Sequence, residues 1–331
     1  MRWVGIDEAG YGPNLGPMVM TAVVAEATDC GRGPREPGPG RALDFWGDLA
    51  GTVDRAGGDP ARLWVDDSKA ILHGGKGRDR LEAGCLAAIH AVTDALPGSM
   101  TQVLELLGAG SRADAELAPW FDADGGSEAW PWIRSRSAAE ALLARRPLLP
   151  DLGTWRLVAI HSVVVGPARF NAELAMLGGK SHVHFAAFAQ LLRRVWERVA
   201  DGVPTSVIGD KHGGRHYYLG PLSQAFADAW IDRGPERADA SRYTLRDGGR
   251  RLELSLVPRA DRDDGLVALA SIVSKTVREL WMDGFNAYWR ARVPGLRPTA
   301  GYPVDAHRFR RAIESVAATT GCDPASWWRR K

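Results

Sequence analysis

Asp7 and Glu8 stand side by side at the end of a short apolar run, and a glycine-rich turn, Ala9-Gly10-Tyr11-Gly12-Pro13, follows at once. Successive side chains on a strand point to opposite faces. Both acids therefore reach one site only where the strand stops, and Gly10 and Gly12 supply that stop. A carboxylate pair beside exposed backbone N–H groups can hold a hard cation and a phosphate together. Two further acids close apolar segments: Asp210 ends Pro204–Asp210, and Asp261 follows Leu252–Val257. In an open α/β sheet, groups at strand ends gather on one edge, in the crevice where ligands bind. Four carboxylates there would repel one another unless divalent cations neutralise them. Oxygen donors of this kind suit Mg²⁺ or Mn²⁺. Two such ions, with Asp7 as the simplest bridge, can clamp the attacking and leaving oxygens of a phosphodiester.

The same segments carry a family resemblance. Asp7-Glu8-Ala9-Gly10 and Gly16-Pro17 open the chain, and Asp67-Ser68-Lys69 follows. Asp210 ends a strand, and Asp261 precedes the small-residue stretch Ala268-Leu269-Ala270-Ser271-Ile272-Val273-Ser274-Lys275. Gly301-Tyr302-Pro303 comes last. With these five elements in order over residues 4–310, the chain resembles the ribonuclease HII family, as a divergent and enlarged member. The resemblance implies an RNase H-like fold and hydrolysis of the RNA strand in RNA/DNA hybrids, or at ribonucleotides embedded in duplex DNA, leaving 5′-phosphate and 3′-hydroxyl ends. It makes Asp7, Glu8, Asp210 and Asp261 the catalytic, metal-binding acids for two Mg²⁺ or Mn²⁺ ions. Gly10-Tyr11-Gly12 would read ribose 2′-hydroxyls, the atoms that separate RNA from DNA. Tyr302 would stack on the sugar at an RNA–DNA junction, and Ser68, Lys69 and Lys275 would contact phosphates or support the acids.

Two departures stand beside the likeness. The family usually has arginine between the glycines where this chain has Tyr11. The segment Lys211–Tyr218, rich in cations, imidazoles and aromatics, is no standard family feature; it reads as a nucleic-acid contact loop offering Lys211 and Arg215, or as a turn into a helix over Pro221–Ile231. His212 or His216 is also a candidate to aid proton transfer to the leaving oxygen. Two rival functions remain at this stage: a catalytically inactive hybrid- or RNA-binding protein of the same fold, and a related metal-dependent nuclease with another nucleic-acid substrate. Four gathered carboxylates argue against pure binding, which favours cations.

The elements that must position these residues follow from periodicity. Strands are expected at Arg2–Asp7 and Met18–Ala25, paired as a hairpin, and at Trp155–Val165, Pro204–Asp210 and Leu252–Val257, while Leu63–Val65 is a short apolar piece before Asp66-Asp67-Ser68-Lys69. Helices are expected at Arg78–Leu96, at His182–Val199 with Ser181 as its cap, and at Leu266–Ala287. This order predicts an α/β fold, a mixed sheet flanked by helices. It forms one catalytic domain over residues 1–310, with surface insertions at about 28–60 and 98–153, the second a helical subdomain or lid. A tail follows at 311–331, whose Ser326–Lys331 either contacts nucleic acid or docks its tryptophans with the arginines outside.

Composition narrows the classes. Over 331 residues the formal charge is only +2, so a polyanion partner would have to meet a local basic patch. Three scattered cysteines form no CxxC pair, and no apolar run reaches the roughly 20 residues that span a bilayer. The expectation is a soluble cytoplasmic protein without a membrane partner. Arginine outnumbers lysine 36 to six, so a lysine kept against that bias is suited to a site needing a compact, flexible ammonium. Lys69, Lys211 and Lys275 are three of the six.

Overall fold

The computed structural model describes residues 1–28, 43–73, 76–109, 120, 140 and 153–330. Its centre is a seven-stranded mixed sheet. Strands β1 (Arg2–Ala9) and β2 (Met18–Ala27) form the expected antiparallel hairpin, with Ala9 opposite Val19. A two-residue pair, β3 (Val53–Asp54) and β4 (Leu63–Trp64), stands apart from the main sheet. Strand β5 (Trp155–Val165) extends the hairpin beyond β2. On the other side of β1, β6 (Thr205–Asp210) runs parallel to it. Next come β9 (Arg250–Val257), parallel to β6, and then the antiparallel β8 (Ser241–Asp247) and β7 (Trp230–Glu236). The expected α/β class, a mixed sheet flanked by helices, is the one observed.

Helices cover both faces because both faces are apolar. On one face lie α1 (Phe45–Asp48), α2 (Ser68–His73), α3 (Gly77–Thr93), α4 (Met100–Leu106) and the front half of the long α9 (Gly265–Arg292). The opposite face is covered by α5 (Pro167–Leu177), α6 (Lys180–Arg198) and α7 (Leu219–Ala225). The one-turn α8 (Ala260–Asp263) links β9 to α9. A third cluster joins the rear of α9 to α10 (Pro303–Thr319) through Trp281, Phe285, Trp289, Phe309 and Trp327. Contact between α9 and β1 is close at Gly5, where a Cβ would stand 2.3 Å from the backbone of Leu266 and Val267.

Several expectations change. Residues from Phe45 onward are no surface insertion: Phe45, Leu49 and Val53 are buried in the core. Most of the expected lid at 98–153 lies outside the described residues, apart from residues 98–109, which include α4, and positions 120, 140 and 153. Helix α6 begins at Lys180 on Gly179, with no side-chain cap, so Ser181 falls inside its first turn. The helix expected over Pro221–Ile231 ends at Ala225, because Trp230 and Ile231 pair with β8 as the sheet edge. Strand β7 contains Gly234-Pro235, which reads as a turn yet is tolerated on an edge strand. The tail docks with an arginine inside: Trp327 and Arg329 are both about 1% exposed.

Candidate active site

The parallel trio β1, β6 and β9 brings Asp7 and Asp210 to one edge of the sheet, and the turn beyond β9 adds Asp261. Ile6 is paired with Gly209 and Gly209 with Leu256, so Asp7 and Asp210 come next along adjacent strands. Asp261 arrives differently. Beyond β9 the chain turns through Arg259 in the left-handed region (φ 59°), and Asp261 sits on α8 instead of a strand end. That turn also aims the Arg259 N–H at Asp210 Oδ1 (2.7 Å), where the Lys211 N–H donates as well (2.9 Å).

A cavity of about 220 Å³ opens here. It is bordered by Asp7, Glu8, Asp210 and Asp261, by Ser68, Lys69, Ser271 and Lys275, and by Tyr302. The turn Ala9–Pro13, including Gly10, Tyr11 and Gly12, completes the rim. Gly10 has φ +88°, and a Cβ there would meet Pro17 O at 2.4 Å and the Arg278 side chain at 2.7 Å, so no other residue fits the turn as built.

Strand β1 runs on to Ala9, so Asp7 and Glu8 lie inside it and point to opposite faces. Each is met by the helix on its own side. Towards α9, Asp7 hydrogen-bonds Ser271, whose Oγ lies 3.0 Å from Ser68 Oγ, and Ser274 Oγ donates to the Asp7 carbonyl (3.1 Å). Towards α6, Glu8 Oε2 lies 3.5 Å from His184 Nε2. Asp67 receives the Lys69 N–H (2.8 Å) at the start of α2, which holds Ser68 and Lys69 at the rim. Lys275 is anchored by Glu279 at 2.7 Å.

The acids crowd one another. Burial, then the Glu8 charge, pushes the Asp7 carboxyl well above the usual range, with Asp261 adding to it. Asp210 is raised by burial and by Glu8, against the pull of the N–H groups that bind it. Asp261 is raised by burial, Asp67 and Asp210, and Lys69 opposes this. A negative cluster with these strained protonation equilibria is chemically suited to a divalent cation. The donor set, all carboxylate oxygen, fits Mg²⁺ or Mn²⁺. Among the described residues, however, no three acidic, histidine or cysteine side chains converge as a ready ligand group.

Two predicted contact residues are not brought to the cavity. Lys211 turns away to Ser241 Oγ (3.0 Å), the Arg237 carbonyl and His216 Nδ1 (3.2 Å). Arg215 lies over the Phe185 and Tyr218 rings. Neither His212 nor His216 lines the cavity. His212 is buried and held well below the ordinary imidazole value by desolvation, then by His184 and Arg215. Sequence reasoning passed over Ser271 and His184 as site residues. Ser271 lies within the quoted small-residue helix, whereas nothing local marks His184.

No protein-family model and no curated protein matches this chain. Among solved structures it is similar to a chain of the PCNA:RNase HII complex from Archaeoglobus fulgidus, at 14% identity and a TM-score of 0.40, covering 100% of this chain and 95% of that one. It is similar to ribonuclease H2 from Pyrococcus horikoshii OT3 at 13% identity and a TM-score of 0.40, covering 99% and 92%. For Bst-RNase HIII in complex with Mn²⁺ the values are 13% and 0.43, over 99% of this chain and 66% of that chain. Similarity at this level assigns no role to any residue.

Proposed function

We propose that this protein is a divalent-metal-dependent endonuclease of the ribonuclease H type, hydrolysing the RNA strand of RNA/DNA hybrids or ribonucleotides embedded in duplex DNA. The observation that carries the reading is the shared cavity. Four carboxylates, two of the six lysines, a glycine turn with exposed backbone and a half-exposed tyrosine line one opening. The ordered motifs from Asp7-Glu8-Ala9-Gly10 to Gly301-Tyr302-Pro303 support it independently.

In this reading Asp7, Glu8, Asp210 and Asp261 hold Mg²⁺ or Mn²⁺, which supplies charge neutralisation at the attacking and leaving oxygens of the scissile phosphate. Gly10 and Gly12 present backbone groups to the ribose. Ser68, Lys69 and Lys275 meet phosphate oxygens, and Tyr302, 51% exposed, offers its ring to a sugar or base. Lys211 and Arg215 instead support the loop behind Tyr11. A purely binding protein would have little use for mutually repelling acids at the centre of its contact surface.

The test is a cleavage assay with Mg²⁺ or Mn²⁺ on duplexes bearing one ribonucleotide or a full RNA strand, beside all-DNA and all-RNA controls. Cleavage restricted to the ribonucleotide-containing duplexes is expected. Absence of cleavage on every duplex would sink the enzyme reading. Cutting of an all-DNA or all-RNA duplex would assign a different nucleic-acid substrate.

A further inference from the structure

Glu8 points away from α9, so whatever holds it must come from the other face. Helix α6 supplies that contact from its first turns. Lys180 and His184, four residues apart, lie on one side of the helix. The Lys180 ammonium is 5.2 Å from the centre of the Tyr11 ring. His184, about 1% exposed, meets Tyr11 edge-to-face with centroids 4.8 Å apart and turns Nε2 towards Glu8. Behind it the His212 ring packs at 4.4 Å, itself against Phe188 and Tyr218.

This is an uneconomical way to fill space. Among the described residues, His184 Nδ1 is buried without a hydrogen-bond partner, as is His212 Nδ1. A buried polar atom left unpaired destabilises the fold, and an apolar ring of similar size would not incur that cost. Neighbouring positions of α6 do use phenylalanine, at Phe185 and Phe188. Among the described residues, the imidazole's one polar contact at the site is with Glu8. From this geometry we infer that His184 is a positioning residue. It sets how far Glu8 leans over the sheet edge, and through Tyr11 it ties that carboxylate to the turn that follows it.

The inference rests on the reading of Glu8 as a metal ligand. Groups that orient ligating carboxylates typically contribute about 10–100-fold to metal affinity. The experiment measures Mn²⁺ binding to the full chain without nucleic acid, by the electron paramagnetic resonance of free Mn²⁺. Wild type is compared with His184→Phe, which keeps an aromatic ring, and His184→Gln, which keeps a polar group facing Glu8. Near-ultraviolet circular dichroism checks folding, and His184→Leu replaces the phenylalanine variant if that one does not fold. Affinity reduced about 10–100-fold in the apolar variant and largely restored in His184→Gln is the expected result. A folded apolar variant that binds Mn²⁺ like wild type, or a glutamine variant as weak as the apolar one, overturns the inference alone. Wild type that binds no Mn²⁺ overturns the metal site with it.

Discussion

Asp7 shows how a residue suited to chemistry burdens its own fold. Its carboxyl is raised above the ordinary value of 3.8 chiefly by burial, then by Glu8. The folded state thus binds this proton more tightly than the unfolded chain does. The stability it confers is full below that ordinary value and is lost as pH rises through the raised one. Above both values the buried charge opposes folding. Asp7→Asn should therefore melt higher than wild type in metal-free buffer at neutral pH, and the difference should vanish as pH falls towards 3.8. In the cleavage assay the same variant should lose roughly 10³-fold in rate, since ligand loss removes several kcal/mol of charge stabilisation. Thermal melts from pH 3 to 8 in metal-free buffer check the first half, and the cleavage assay checks the second. A variant melting below wild type at neutral pH would refute the electrostatic account.

At the scale of elements, the site depends on how closely α9 lies on β1. Ser271 and Ser274 reach Asp7 only because Gly5 lets the helix backbone approach the strand. Gly5→Ala forces the two apart. Overpacking of this kind costs about 1–3 kcal/mol, read from a shift in the urea midpoint with unchanged slope. Because the displacement falls on the face that holds Asp7, Mn²⁺ affinity should fall with stability. Helix α6 acts from the opposite side, so two helices that do not share a face of the sheet together set the two acids. The periodicities of α6 and α9 are plain in the sequence. What no periodicity shows is that His184 of one and Ser271 of the other stand on either side of the same dipeptide.

At the scale of the molecule, the far end of the chain stabilises the near end. The turn after Tyr11 is held between two distant segments. Asn14 N–H donates to the Gly301 carbonyl (2.8 Å), and the Arg329 N–H donates to the Asn14 carbonyl (2.8 Å). Leu15 and Trp328 form an antiparallel bridge, and the Arg329 guanidinium donates to the Pro13 carbonyl. Arg278 joins them from α9, donating to Ala300 O (2.8 Å) beneath Tyr302. Trp327 anchors this tail in the third apolar cluster. Truncating it to alanine should cost about 3–5 kcal/mol. Cleavage should suffer more than Mn²⁺ binding, because the loosened turn bears the glycines proposed to face the substrate and not the acids. Equal losses in the two measurements would contradict that division.

The sequence by itself determined β1, β2, β5, β6 and β9 and the helices α3, α6 and α9, because local periodicity and turn residues are properties of neighbours along the chain; β8 and the helix α10 went unread. It also named most of the residues that line the cavity, through the order and spacing of its motifs. It could not reveal that Lys211 and Arg215 turn away, since their partners at Ser241, Arg237 and Phe185 come from other elements. Nor could it disclose the edge strand β7, whose Gly-Pro pair imitates a turn until β8 is there to pair with it. Only the tertiary structure decided that β1 continues past Asp7 and Glu8 to Ala9 and that each acid meets a different helix. The strand's alternation sets their directions, but the groups that wait on each side are brought there by chain segments more than 170 residues away.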